Sequence, residues 1–115
     1  MKNTPLFIDA TKGMNAKVIE NVPYDILIRE LISTKVYCQL SYTDQFPLNL
    51  LEAMACGCIP VVSNSGGPPE IVGNVGFIVS YGDVVKTREA ISLALLSTPA
   101  DITSTRERAT IFSIE

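Results

Sequence analysis

Two carboxylates carry the most suggestive chemistry in this chain. Asp44 lies in the candidate loop Ser41-Tyr42-Thr43-Asp44-Gln45-Phe46-Pro47-Leu48, and eight positions later Glu52 stands alone inside the apolar stretch Leu48-Asn49-Leu50-Leu51-Glu52-Ala53-Met54-Ala55-Cys56. An ionised carboxylate accepts from two vicinal hydroxyls at once, so a lone acid on an apolar helix suits a polyhydroxylated ligand. The plainer reading is that Glu52 takes the exposed edge of its helix or pairs with a lysine, since a buried acid without a partner is costly. Asp44 is favoured before a helix whatever its role, by about 0.3–1 kcal/mol from the helix dipole. Together the two acids bracket a helix N-terminus, whose unpaired N–H groups suit a diphosphate. A second run, Ser65-Gly66-Gly67-Pro68-Pro69-Glu70, lets backbone approach a ligand at Gly66 and Gly67, although the same composition also makes an ordinary turn.

Other chemistries are removed by what the chain lacks. It has three cysteines and no histidine. Cys38 is alone and Cys56-Gly57-Cys58 form a pair, so a zinc site has no fourth ligand, and the Ser-His-Asp and Cys-His hydrolase constellations are impossible. The cysteines read as small buried hydrophobes of a chain in a reducing compartment. A net charge of −3 with no basic run argues against nucleic acid as partner. No stretch has the length and apolarity of a transmembrane segment, and the N-terminus lacks a signal pattern. The expected location is the cytoplasm, with contact to a membrane only through a partner.

The elements that must position these residues follow from hydrophobic periodicity. Short apolar runs predict strands at 6–10, 17–21, 35–41, 59–63 and 76–80, with a loop at 11–15 around Gly13. Helices are predicted from Pro23 to about Thr34, from Pro47 through Cys56 with Gly57 as the cap, and over 70–72. A longer one runs from an Asp83 cap to about Ser97, burying Val84, Ala90, Ile91, Ala94 and Leu95. Pro99 is expected to stop it, and a last helix is predicted over 103–112. Alternation of strand and helix implies an α/β, Rossmann-like parallel sheet with helices on both faces, built as one domain of 115 residues. In such sheets ligands bind beyond the carboxyl ends of the strands, where the segments after 35–41 and 59–63 emerge.

The stretch from Asp44 through Glu52-Ala53-Met54-Ala55-Cys56-Gly57-Cys58-Ile59-Pro60-Val61-Val62 resembles the signature of glycosyltransferase family 4. Gly66-Gly67-Pro68-Pro69-Glu70, Gly76-Phe77-Ile78-Val79 and the segment Arg106 to Ser113 are similar to three further motifs of that family, in the same order, and the likeness runs from about Val18 to the C-terminus. The resemblance implies the GT-B fold, with this chain an incomplete copy of its C-terminal, donor-binding half. It implies a retaining transfer of sugar from a UDP- or GDP-sugar to an acceptor, with no metal or other cofactor. Carried over by position, Glu52 binds the ribose hydroxyls, Asp44 is the catalytic acid beside the transferred sugar, and the amides of Phe46 and Leu48 meet the donor phosphates. Gly66 and Gly67 line the same site.

Asp44 is one methylene shorter than the family's glutamate, and Pro47 stands where a glycine is usual. The first strand and helix of the domain, a basic Arg…Lys pair and the acceptor-binding domain have no counterpart here. They are expected from a protein partner or a longer polypeptide, and the uncovered apolar face favours self-association. The alternative is a non-catalytic binding or regulatory subunit derived from such a domain. A sugar-nucleotide 2-epimerase-like domain shares the Gly66-Gly67 segment but not the Glu52-Ala53-Met54-Ala55 block. A nicotinamide-binding domain would need a Gly-x-Gly-x-x-Gly that is absent, and a response-regulator domain lacks its acidic cluster and downstream lysine.

Overall fold

The computed structural model describes residues 11, 13–14, 23–40, 48–64 and 68–111. The strands expected at 6–10 and 17–21 lie outside them. Within the expected loop at 11–15, the Met14 N–H donates to the Thr11 carbonyl at 2.8 Å and Gly13 adopts φ +83°.

The described elements run α1 (Tyr24–Ile32), β1 (Val36–Gln39), α2 (Leu48–Ala55), β2 (Ile59–Ser63), α3 (Pro68–Val72), β3 (Phe77–Val79), α4 (Val84–Ala94) and α5 (Pro99–Ile111). The described strands form one parallel sheet in the order β1-β2-β3, with registers from Val36↔Ile59 to Gln39↔Val62 and from Val61↔Phe77 to Ser63↔Val79. Parallel pairing with a helix between successive strands is the α/β arrangement expected from the alternating pattern.

Period-two alternation along β2 divides the core between the two faces of the sheet. Ile59 and Val61 pack with Leu40, Val79 and the α4 residues Ala90, Ile91 and Ala94. Val62 packs on the other side with Leu50 and Met54 of α2, Ile71 and Val72 of α3 and Ala109 of α5. Both valines are fully buried, each stabilising the fold by about 1.5–3 kcal/mol. The last helix reaches both clusters, through Ile102 and through Ala109. Pro60 sits in the central strand without breaking the ladder. The Ile59 N–H is directed to β1, donating to the Lys35 carbonyl at 2.8 Å, so the missing N–H of Pro60 falls on the β3 side, one residue before that pairing begins at Val61. Gly76 is pressed so close that a Cβ there would run into the Pro60 carbonyl oxygen.

Two sequence expectations need correction. Leu95 is not part of the buried face of α4. The helix stops at Ala94, Leu95 is its C-cap, and the side chain is 44% exposed. Thr87 is buried in the α4 face instead, its hydroxyl donating to the Asp83 carbonyl at 2.7 Å, so burial costs no unpaired polar group. Pro99 does not separate two helices but opens the second. Thr98 and Asp101 form a reciprocal cap: the Thr98 N–H donates to Asp101 Oδ2 at 2.9 Å and the Asp101 N–H to Thr98 Oγ1 at 3.3 Å. Proline at the first helical position suits that cap because its absent N–H would be unpaired anyway. The Asp83 cap is as expected, its Oδ1 accepting from the Lys86 N–H at 2.9 Å. No helix among the described residues is long and apolar enough to cross a membrane.

Candidate functional site

The carboxyl ends of β1 and β2 point to the same edge, because the strands are parallel and in register up to Gln39↔Val62. Asp44 and Phe46 follow β1, and Gly66 and Gly67 follow β2; all four lie outside the described residues. Leu48 is the first residue of α2, directly after the first of these segments.

Glu52 is the expected site residue whose side chain is described. Its helix is made of strong helix formers, Leu, Ala, Met and Glu. Leu50, Ala53 and Met54 are buried at helical spacing, which turns Glu52 to the outer flank of α2, where it is half-buried. The partner there is a phenol and not the lysine that the plainer reading allowed: Tyr24 Oη donates to Glu52 Oε2 at 2.6 Å. This bond, reinforced by the charge of Glu52, pushes the Tyr24 phenol above its ordinary value of 10.0.

The seam between α1 and α2 explains how residues 28 apart in sequence meet. Leu27, Ile28 and Leu31 pack against Ala53, Cys56 and Cys58. Tyr24 lies one turn earlier on the same stripe of α1, and Glu52 one turn before Cys56 on α2, so the stripes bring the two polar groups together at one end. The Cys58 thiol closes the other end, within hydrogen-bonding distance of the Leu31 and Thr34 carbonyls at 3.2 and 3.3 Å. No motif in the chain points to Tyr24, because the pairing follows from helix packing and not from spacing.

The cysteines are free thiols. Cys58 is fully buried, whereas Cys38 and Cys56 are only half-buried, less enclosed than the reading as buried hydrophobes expected. Burial pushes the Cys38 and Cys58 thiols up to about 12. Cys56 is also raised, by burial first and then by Glu52, against the opposing charge of Arg106. These are structural thiols and not activated nucleophiles.

The segment around Arg106 and Arg108 braces this region. Arg106 and Ile102 lie over Gly57, where a Cβ would stand 2.9 Å from Ile102 Cγ2 and 3.0 Å from Arg106 Nε. Arg108 donates from Nε to the Ile71 carbonyl at 2.9 Å and from Nη2 to the Glu70 carbonyl at 2.7 Å, satisfying the end of α3. A shallow concavity of about 350 Å³ between β3 and α4 contains none of the expected site residues. Its charged rim is engaged internally, with Lys86 Nζ 3.7 Å from Glu89 Oε1 and Asp83 capping α4.

Comparison with known proteins identifies a family and a relative. The family described as "Glycosyl transferases group 1" matches residues 8–110. The protein described as O-antigen chain mannosyltransferase B, from Escherichia coli, is 36% identical over 89 residues, which are 77% of this chain and 22% of that protein. This chain therefore matches about a fifth of the length of that relative.

Proposed function

The chain belongs to the glycosyl transferases group 1 family, and from that premise we propose that it supplies the nucleotide-sugar-binding half of a retaining glycosyltransferase. The observation that supports this reading best is the Glu52 carboxylate, half-buried on an otherwise apolar helix and held by a phenol at 2.6 Å. A carboxylate fixed in this way is ready to accept from a pair of vicinal hydroxyls, which a donor nucleotide presents on its ribose.

In this reading the donor lies along the carboxyl edge of the sheet. The diphosphate meets the amide groups of Phe46 and Leu48 at the start of α2, where unpaired N–H groups and the helix dipole offset its charge without a metal. Gly66 and Gly67 bring backbone close to the donor. Asp44 stands beside the transferred sugar and stabilises the positive charge that develops there as the bond to the diphosphate breaks. The donor is a UDP- or GDP-sugar, and the name of the Escherichia coli relative favours a mannosyl group. The acceptor is bound by a separate acceptor-binding domain that faces this one, and the assembly works in the cytoplasm.

Isothermal titration of UDP- and GDP-sugars into the chain, alone and with its acceptor-binding partner, tests the proposal. Glu52→Ala should weaken donor binding by about 10- to 100-fold, as expected for losing charge-assisted bonds of roughly 1.5–3 kcal/mol. Asp44→Ala should leave binding nearly intact and lower turnover. Absence of binding in both settings would refute the reading, and binding without turnover in the complete assembly would leave only a non-catalytic subunit.

A further inference from the structure

Tyr24 combines two properties that the core does not require of it. Its hydroxyl is anchored on Glu52 Oε2 at 2.6 Å, yet the residue is 65% exposed. The apolar contacts of α1 are made by Leu27, Ile28 and Leu31, and the ring of Tyr24 belongs to none of the buried clusters. An aromatic side chain held at its polar end and bare on its ring offers a flat apolar surface of fixed orientation. That surface begins one hydrogen bond away from the carboxylate.

A nucleoside carries the complementary pair of features in one small molecule. Its ribose presents vicinal hydroxyls, and one glycosidic bond away its base presents a planar π-face. We propose that Tyr24 is a donor-contacting residue, its ring stacking on the nucleobase while its phenol positions Glu52 for the ribose. This rests on the donor-site reading of Glu52 and adds the residue that recognises the base. Stacking is tolerant of base identity because every base has a π-face, so Tyr24 contributes affinity to uridine and guanosine nucleotides alike. A phenol is a donor at neutral pH, and the hydrogen bond to Glu52 raises it further above its ordinary value of 10.0. The bond also orders a carboxylate that would otherwise sample several rotamers, which lowers the entropy lost when the ribose binds.

The two parts of this role separate experimentally. Titrate UDP, GDP and 2′-deoxy-UDP into the chain as wild type, Tyr24→Phe, Tyr24→Trp and Tyr24→Leu. Tyr24→Phe keeps the ring and loses the phenol, so UDP should bind about fivefold more weakly, while 2′-deoxy-UDP, which lacks the diol, should bind as it does to wild type. Tyr24→Leu removes the ring and should weaken all three ligands by about tenfold or more. Tyr24→Trp should restore most of the affinity for 2′-deoxy-UDP. Because the side chain is exposed, all three variants should keep the wild-type melting temperature, which shows that any loss arises at the site. Binding of UDP by Tyr24→Leu within twofold of wild type would overturn the stacking role. A Tyr24→Phe loss that is equal for UDP and 2′-deoxy-UDP would overturn the positioning role. Wild-type protein that binds none of the nucleotides would refute the donor-site reading itself, an outcome distinct from either.

Discussion

Gly57→Ala tests how the helix that carries Glu52 is terminated. Gly57 has φ +91°, and its N–H donates to the Met54 carbonyl at 2.9 Å while the Cys58 N–H donates to the Ala53 carbonyl at 3.0 Å. These paired bonds are the Schellman arrangement, with Ala53 and Cys58 packed together beneath it. An alanine there meets two penalties. The left-handed conformation costs a residue with a Cβ about 1–2 kcal/mol, and the new methyl would stand 2.9 Å from Ile102 Cγ2, an overpacking worth about 1–3 kcal/mol. The expected loss is about 3 kcal/mol. With an unfolding entropy of about 2.1 cal/mol/K per residue, this lowers the melting temperature by roughly 12 °C. Gly82 supplies the control, because it has φ +83° with open space around it. Gly82→Ala should therefore show only the conformational part, a drop of about 4–8 °C. The assay is thermal unfolding followed by circular dichroism, with urea midpoints as a check. Combining Gly57→Ala with Ile102→Ala should recover about 1–2 kcal/mol as a coupling energy. Equal drops for the two glycine variants, or no coupling with Ile102, would refute the claim that α5 packs over this cap.

Two further tests address the cysteines and the last helix. Burial raises Cys58 to about 12, so the folded state keeps a proton that the unfolded chain releases near pH 9. Its contribution is complete below about pH 9 and is lost as pH rises to 12, by up to about 1.4 kcal/mol per pH unit; Cys58→Ala should flatten that alkaline decline in urea titrations. Arg108→Ala removes the donors to the Ile71 and Glu70 carbonyls, which should cost about 1–3 kcal/mol by urea denaturation, with Arg108→Lys rescuing it only in part because an ammonium lacks the planar fork.

Much of the fold is set by local properties that the sequence itself determines. The order of elements, the Asp83 cap, the Gly57 stop and the apolar face of α2 depend on residue type and near neighbours, and they form as periodicity and capping rules require. The errors arose where a local rule has two outcomes. Proline both ends and begins helices, and at Pro99 the reciprocal bonds of Thr98 and Asp101 select the beginning. Thr87, which apolar periodicity does not mark, is buried because its own helix satisfies its hydroxyl. Leu95 has the right periodicity but stands beyond the point where its helix ends.

For the site, the sequence alone marked Glu52 as an acid out of place on an apolar helix, and it left open whether a lysine, solvent or a ligand compensates it. Only the tertiary structure decided that Tyr24 does. That choice follows from the packing of Leu27, Ile28 and Leu31 against Ala53, Cys56 and Cys58, which sets the offset of α1 along α2 and so brings a phenol to the carboxylate. Contacts across such an offset arise from the shapes of two helices in register, and no spacing within either helix encodes them.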